Sequence, residues 1–154
     1  MFEGSIVSIN IAAKAEAPIQ SVSEARAVPG QGLEGDRYFN GEGTFSKPQP
    51  DRELTLIEVE AIEAMRHELG VEMDPGASRR NIVTRDVPLN HLVGREFWIG
   101  DVKVRGLKLC EPCSHLARLS HSSVLPGLVH RGGLRAQILN EGVIRAGASI
   151  TPGS

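Results

Sequence analysis

Phe97-Trp98-Ile99-Gly100-Asp101-Val102-Lys103-Val104-Arg105-Gly106-Leu107-Lys108-Leu109 is the stretch on which the fold class turns. A short apolar run meets a Gly-Asp pair, and an alternating apolar/basic run follows, which is the pattern of a β-hairpin. The same punctuation recurs through the second half of the chain. Asn81 to Thr84 reads as a short strand, and Leu134 to Leu139 and Val143 to Ile150 flank Asn140-Glu141-Gly142 as a second hairpin. Upstream, Ser5 to Ile11 is a β-rich opening strand, and Val22 to Val28 forms another short one. One helix stands out. Thr55 and Glu58 make a Ser/Thr-x-x-Glu capping box, Ala61, Ile62, Met65 and Leu69 form one apolar face, and Gly70 supplies the stop. Leu54 and Leu56 alternate with polar residues just ahead of it, so a short strand feeds the helix. Ser114 to Leu119 reads as a second short helix. Many short strands with hairpin turns and two or so helices predict a mainly β protein with flanking helices, an α+β chain on a closed or nearly closed β-barrel.

Composition bounds the function. A chain of 154 residues forms one domain, 1–154, with a core that buries roughly 70% of the unfolded surface. The net charge of −2 argues against a nucleic-acid-binding or membrane-coating protein. No apolar stretch approaches the ~20 residues needed to span a bilayer. No charged n-region precedes an apolar core at the N-terminus, so a cytoplasmic location is expected. Aromatic content is low at 4%, while 17 glycines and 9 prolines make a chain that turns often.

The chemistry concentrates where the long alternating run ends, at Leu109-Cys110-Glu111-Pro112-Cys113-Ser114-His115, which holds both cysteines of the chain. A thiol between a strand end and a helix start meets unpaired backbone N–H groups, which favour the nucleophilic thiolate. A structural zinc site would want four ligands, and His115, His121 and His130 follow without the usual spacing of His115 to His121. A thioredoxin-like dithiol wants a βαβ unit, against which the hairpin context argues. An inert buried pair is the remaining bland reading.

Basic and glycine-rich clusters recur around the strands. Pro29-Gly30-Gln31-Gly32-Leu33-Glu34-Gly35-Asp36-Arg37 holds three glycines, implying positive φ or a close approach to something bound. It lacks the strand–helix context of a dinucleotide fingerprint. Tyr38 to Asp51 follows as a long polar loop able to cover a ligand. Ser78-Arg79-Arg80-Asn81 puts two guanidinium groups and an amide at a strand entrance, suited to an anion or else a solvated pair. Asp36-Arg37 reads equally as a local ion pair or a ligand contact, and Arg131-Gly132-Gly133-Leu134-Arg135 as an anion contact or a simple turn. His67 and His91 read as ordinary exposed residues and Met65 as core. Taken jointly, these clusters fit a phosphate-bearing ligand held by Arg and backbone N–H groups, with a thiolate at its reactive end.

The ordered set Gly32-Leu33-Glu34-Gly35-Asp36-Arg37, Arg52-Glu53-Leu54-Thr55-Leu56-Ile57, Ser78-Arg79-Arg80-Asn81-Ile82, Cys110-Glu111-Pro112-Cys113 and Arg131-Gly132-Gly133-Leu134-Arg135 resembles the MOSC family. That family is named for the C-terminal part of molybdenum cofactor sulfurases, and the likeness is to its small stand-alone bacterial form. It runs from about Ser5 to Ile150 and includes the closing Gly142-Val143-Ile144-Arg145-Ala146-Gly147. The resemblance implies a β-barrel with flanking helices and a reactive cysteine. Carried over residue by residue, it makes Cys113 the molybdenum ligand. Arg37, with Asp36, matches the family's Asp-Arg cofactor contact, and Arg79 with Asn81 matches its Arg-x-Asn contact. It thereby implies a molybdenum-cofactor (molybdopterin) protein that reduces N-hydroxylated bases or related small molecules. No flavin, haem or iron–sulfur motif is present, so electrons would come from a separate reductase. The alternative within the family is a sulfur carrier. There Cys113 forms a persulfide with a cysteine desulfurase, and Cys110 resolves it by exchange. A third reading is a binding module that stores or hands over the cofactor.

Overall fold

A computed structural model of the chain describes residues 2–13, 18–36, 53–69, 80–109 and 133–153. In chain order the strands are β1 (Gly4–Ile11), β2 (Gln20–Val22), β3 (Glu24–Val28), β4 (Gly32–Leu33), β5 (Leu54–Glu58), β6 (Ile82–Arg85), β7 (Glu96–Ile99), β8 (Val102–Leu109), β9 (Leu134–Ile138), β10 (Gly142–Arg145) and β11 (Ser149–Pro152). Helix α1 (Val59–Leu69) follows β5 directly, and a 3-10 turn covers Leu89–Leu92.

Seven strands close a barrel in the order β1-β11-β7-β8-β9-β5-β6, with β6 returning to β1. Closure is made by Gly4 opposite Ile150 and Ser5 opposite Ser149. The mainly β barrel that the sequence predicts is the fold observed. β7 and β8 form the hairpin read from the sequence, with Ile99 opposite Val102 and Gly100 at φ 58° in the turn. Only β5 and β6 run parallel among the barrel pairs, because α1 carries the chain from one to the other over the outside. That crossover buries β5 on both faces. Leu54 and Leu56 point into the barrel core, while Ile57, with Val83 of β6, is buried on the side where Val59, Ala61 and Ile62 of α1 lie.

The barrel interior is filled by the alternate residues of its strands, among them Ile9, Ile82, Phe97, Ile99, Val104, Leu134 and Ile150. A second sheet, β10-β3-β4, adds Ala25, Ala27, Leu33 and Ile144 to the same core. Leu89 and Leu92 of the 3-10 turn join it as well. No helix among the described residues is long and apolar enough to cross a membrane.

Three local expectations are corrected. Thr55 and Glu58 do not cap α1; both lie in β5, where the Thr55 hydroxyl bonds to Asn81 and the Glu58 carboxylate accepts the Leu89 N–H at 3.2 Å. The run Val22 to Val28 breaks at Ser23 into β2 on the barrel and β3 in the second sheet. The two segments around Asn140 are not a hairpin. β9 pairs with β5 and β8, β10 pairs with β3, and β11 pairs with β7 and β1. Asn140 explains the detour, since its side chain accepts from Lys103 N at 2.6 Å and donates to Asp101 O, pinning this corner to the β7–β8 turn.

Candidate functional site

Three polar residues are buried together where β1 ends and β5 and β6 begin. Asn10, Asn81 and Thr55 are each at most 5% exposed. Burial of amides and hydroxyls is costly unless their hydrogen bonds are met, and here they are met by one another. The Asn81 side-chain oxygen accepts from Thr55 N at 3.1 Å and from the Thr55 hydroxyl at 3.2 Å. The same hydroxyl accepts from Asn81 N at 3.0 Å. Asn81 Nδ2 donates to Asn10 O at 3.2 Å, and Asn10 N donates to Asn81 O at 2.7 Å. Asn10 Nδ2 in turn donates to Arg80 O at 3.2 Å, while its oxygen accepts from the Ser21 hydroxyl at 3.0 Å.

Strand register extends this cluster sideways. Residues directly opposite on paired strands share a face of the sheet. Ser21 lies opposite Asn10, Arg135 opposite Thr55, and Lys108 opposite Arg135. With Asn81 bonded between Asn10 and Thr55, a polar row runs Ser21–Asn10–Asn81–Thr55–Arg135–Lys108 across the outer face of the barrel. The neighbouring inner row, Ile9, Ile82, Leu56 and Leu134, is fully buried core. The row is basic at one end and carries Arg80 beside its centre. From Asn81 to Lys108 it crosses three strand spacings, roughly 14 Å.

Two acidic residues flank the row. Asp36, just past β4, is buried and accepts the Ala12 N–H at 3.1 Å, two residues beyond Asn10. Glu53, just ahead of β5, is buried too, and its Oε1 accepts from Gly30 N at 3.0 Å and Ile138 N at 3.2 Å. Burial pushes the Glu53 carboxyl above its ordinary value, and the two N–H bonds oppose that shift. The Gly-rich turn behaves as its composition predicts, with positive φ at Gly30, Gly32 and Gly35.

Of the residues the sequence singles out, Asp36 and Asn81 are brought to the same end of β1. Cys110, Cys113, Arg37, Arg79 and Arg131 lie outside the described residues, as do Tyr38 to Asp51 and Ser114 to Leu119. What is described is where their segments attach. Residues 110–132 leave after Leu109 and return at Gly133, next to Lys108 and Arg135 of the row. Residues 70–79 return at Arg80, beside Asn81, and residues 37–52 leave after Asp36 and return at Glu53, two positions before Thr55. All three segments therefore begin or end at this row. Asn10, Thr55 and Glu53 escaped the sequence reading as site-building residues. Asn10 looks like the polar phase of a strand, and Thr55 with Glu58 mimics a helix cap.

Among the described residues no three His, Cys, Asp or Glu side chains cluster as a metal would require. His67 and His91 are exposed. His91 sits in a concavity of about 580 Å³ with Phe2, Pro88, Leu92 and Arg95. That concavity lies by the start of β1, roughly 25 Å along the strand from Asn10, and involves none of the residues above.

Solved structures share this architecture. YuaD from Bacillus subtilis superposes with a TM-score of 0.80 at 14% identity, covering 97% of each chain. YiiM from Geobacillus stearothermophilus gives 0.73 at 19% identity over 98% of this chain and 75% of its own. YiiM from Escherichia coli gives 0.67 at 19% identity over 97% and 70%. At such identities the likeness is one of fold. No curated protein shows significant sequence similarity to the chain. The family model for the MOSC domain matches residues 40–151, most of the barrel and every segment bearing the cysteines and the arginine motifs except the Gly-rich turn. The chain belongs to the MOSC domain family.

Proposed function

We propose that this protein binds the molybdenum cofactor and reduces N-hydroxylated bases or related small molecules, with the Cys113 thiolate as the metal's protein ligand. The observation that supports the reading is the attachment of three motif-bearing segments to one polar, basic row. A phosphate-bearing pterin wants cations and directed N–H donors, and Arg135 and Lys108, opposite one another, with Arg80 next to Asn81, bring basic residues to this row. Arg37 and Arg79 would take the phosphate and ring edges, with Asp36 and Asn81 holding the turns that carry them. A thiolate is the soft, strongly donating ligand such a metal selects. When bound, the cofactor supplies the redox centre that removes oxygen from an N–OH group; the protein supplies orientation and electrostatics. Electrons come from a separate reductase.

Purification from a host that makes the cofactor tests this. The parent is expected to carry molybdenum and pterin in near-equal amounts. Cys113→Ala is expected to lose the metal with an unchanged unfolding temperature. Unchanged metal content in that variant removes Cys113 as ligand. A parent free of pterin but bearing an added sulfur on Cys113 by intact mass moves the assignment to a sulfur carrier. Bound pterin without turnover, given a supplied reductase, makes it a carrier of the cofactor.

A further inference from the structure

The concavity of about 580 Å³ by the start of β1 shares no residue with the polar row, and its volume is that of a small-molecule site. Phe2, Pro88 and Leu92 give it an apolar lining. Leu92 is buried in the core, and Phe2 packs against the core from outside.

The backbone around the concavity is fixed. Leu89 N donates to the Glu58 carboxylate at 3.2 Å, and His91 N donates to Pro88 O at 3.0 Å, which ties down the 3-10 turn. Arg95 N donates to Leu92 O at 3.0 Å and Arg95 O accepts from Gly106 N at 2.9 Å, so the peptides on both sides of Arg95 are held. On the β11 side, Pro152 lies opposite Phe97, and a Cβ on Gly153 would sit 2.3 Å from Glu96 O.

Its charges are unequally engaged. His91, Arg95 and Glu96 are the ionisable residues of the lining. Glu96 is answered from β8, with Arg105 Nη2 at 2.5 Å and Lys103 Nζ at 3.1 Å from its oxygens. His91 and Arg95 are exposed, and among the described residues neither side chain has a hydrogen bond or an ion pair. A fixed frame with an apolar lining and two unengaged nitrogen-bearing side chains suits a ligand that joins an apolar body to one negative charge. The guanidinium fork matches the two oxygens of a carboxylate. The nearby Glu96 carboxylate disfavours a dianion such as a phosphate monoester.

We propose that this concavity binds a small organic carboxylate, its oxygens taken by Arg95 and His91 and its apolar body laid against Phe2, Pro88 and Leu92. The site is independent of the cofactor reading, since it uses no residue of the row.

The test is titration of the full-length, isotope-labelled protein with 2-naphthoate, followed by backbone amide shifts. Saturable shifts are expected at His91, Leu92, Arg95 and Gly153, with a Kd on the order of 1 mM or tighter. 2-Naphthamide keeps the shape without the charge, and acetate keeps the charge without the rings; each should bind at least about threefold more weakly. Arg95→Gln should weaken 2-naphthoate at least about threefold while changing 2-naphthamide by less, a difference that a general loss of structure does not produce. Should Arg95→Gln fail to fold, His91→Gln is read by the same comparison. The proposal is overturned by an absence of saturable shifts at those four residues up to about 10 mM. It is equally overturned if the amide or acetate binds as well as 2-naphthoate, or if the folded variant keeps the parent's affinity.

Discussion

A buried polar side chain has a fixed number of hydrogen bonds to spend, and Glu53 spends its bonds on architecture. One oxygen joins the turn of the second sheet, at Gly30, to barrel strand β9, at Ile138. Because burial raises its pKa above the ordinary 4.5, the folded state holds the proton more tightly than the unfolded chain does. The stability linked to this proton is therefore complete below the ordinary carboxylate range and is lost as pH rises through the raised value. Glu53→Gln keeps an oxygen acceptor without the charge. It is expected to be at least as stable as the parent at neutral pH, with the gap closing as pH falls through the raised value and gone below about pH 4.5, the range of the free carboxylate. Glu53→Ala strands two backbone donors and should cost about 2–4 kcal/mol at any pH. Urea unfolding of both variants at several pH values checks the pair. A parent more stable than Glu53→Gln at neutral pH, with the gap closing in acid, would reverse the sign argued here.

At the scale of elements, β5 is the hinge of the design. It is covered by the core on one face and by α1 beyond the other, and it pairs with β6 and β9 along its edges. Such a strand leaves no room for its neighbours to move, and the return of the chain into β9 shows it. Gly133 has φ +110°, and a Cβ there would sit 1.9 Å from Leu56 O. Both the dihedral and the backbone oxygen exclude a side chain. Gly133→Ala is expected to cost at least about 3 kcal/mol, combining backbone strain with overpacking. Gly30 also has positive φ, +80°, but nothing lies within 4 Å of its Cβ position. Gly30→Ala should lose only the conformational share, about 1–2 kcal/mol. Comparable losses from both substitutions in thermal unfolding would mean that β9 shifts to accept a methyl group.

For the whole molecule, closure of the barrel decides what meets what. The end of β1, the starts of β5, β6 and β9 and the end of β8 fall on one lateral row, so segments separated by dozens of residues attach side by side. On the proposed function, Arg79→Ala should weaken cofactor binding by ~1.5–3 kcal/mol, the worth of a charge-assisted hydrogen bond. It should do so with little change in the unfolding temperature of the cofactor-free protein. Equal affinity in variant and parent, measured by pterin retention after gel filtration, would return Arg79 to a surface charge. Sequence alone determined the β class, the opening strand, the β7–β8 hairpin, the strand feeding α1 and the positive φ of the Gly-rich turn. Each of those is set by residues within a few positions of one another, where periodicity and glycine content act directly. Pairing partners were decided only by the tertiary structure. Alternation says which face of a strand is buried but not which strand lies beside it, so β9 and β10 looked like a hairpin and Thr55 like a helix cap. The row that joins Asn10, Asn81, Thr55, Arg135 and Lys108 exists only once the barrel closes.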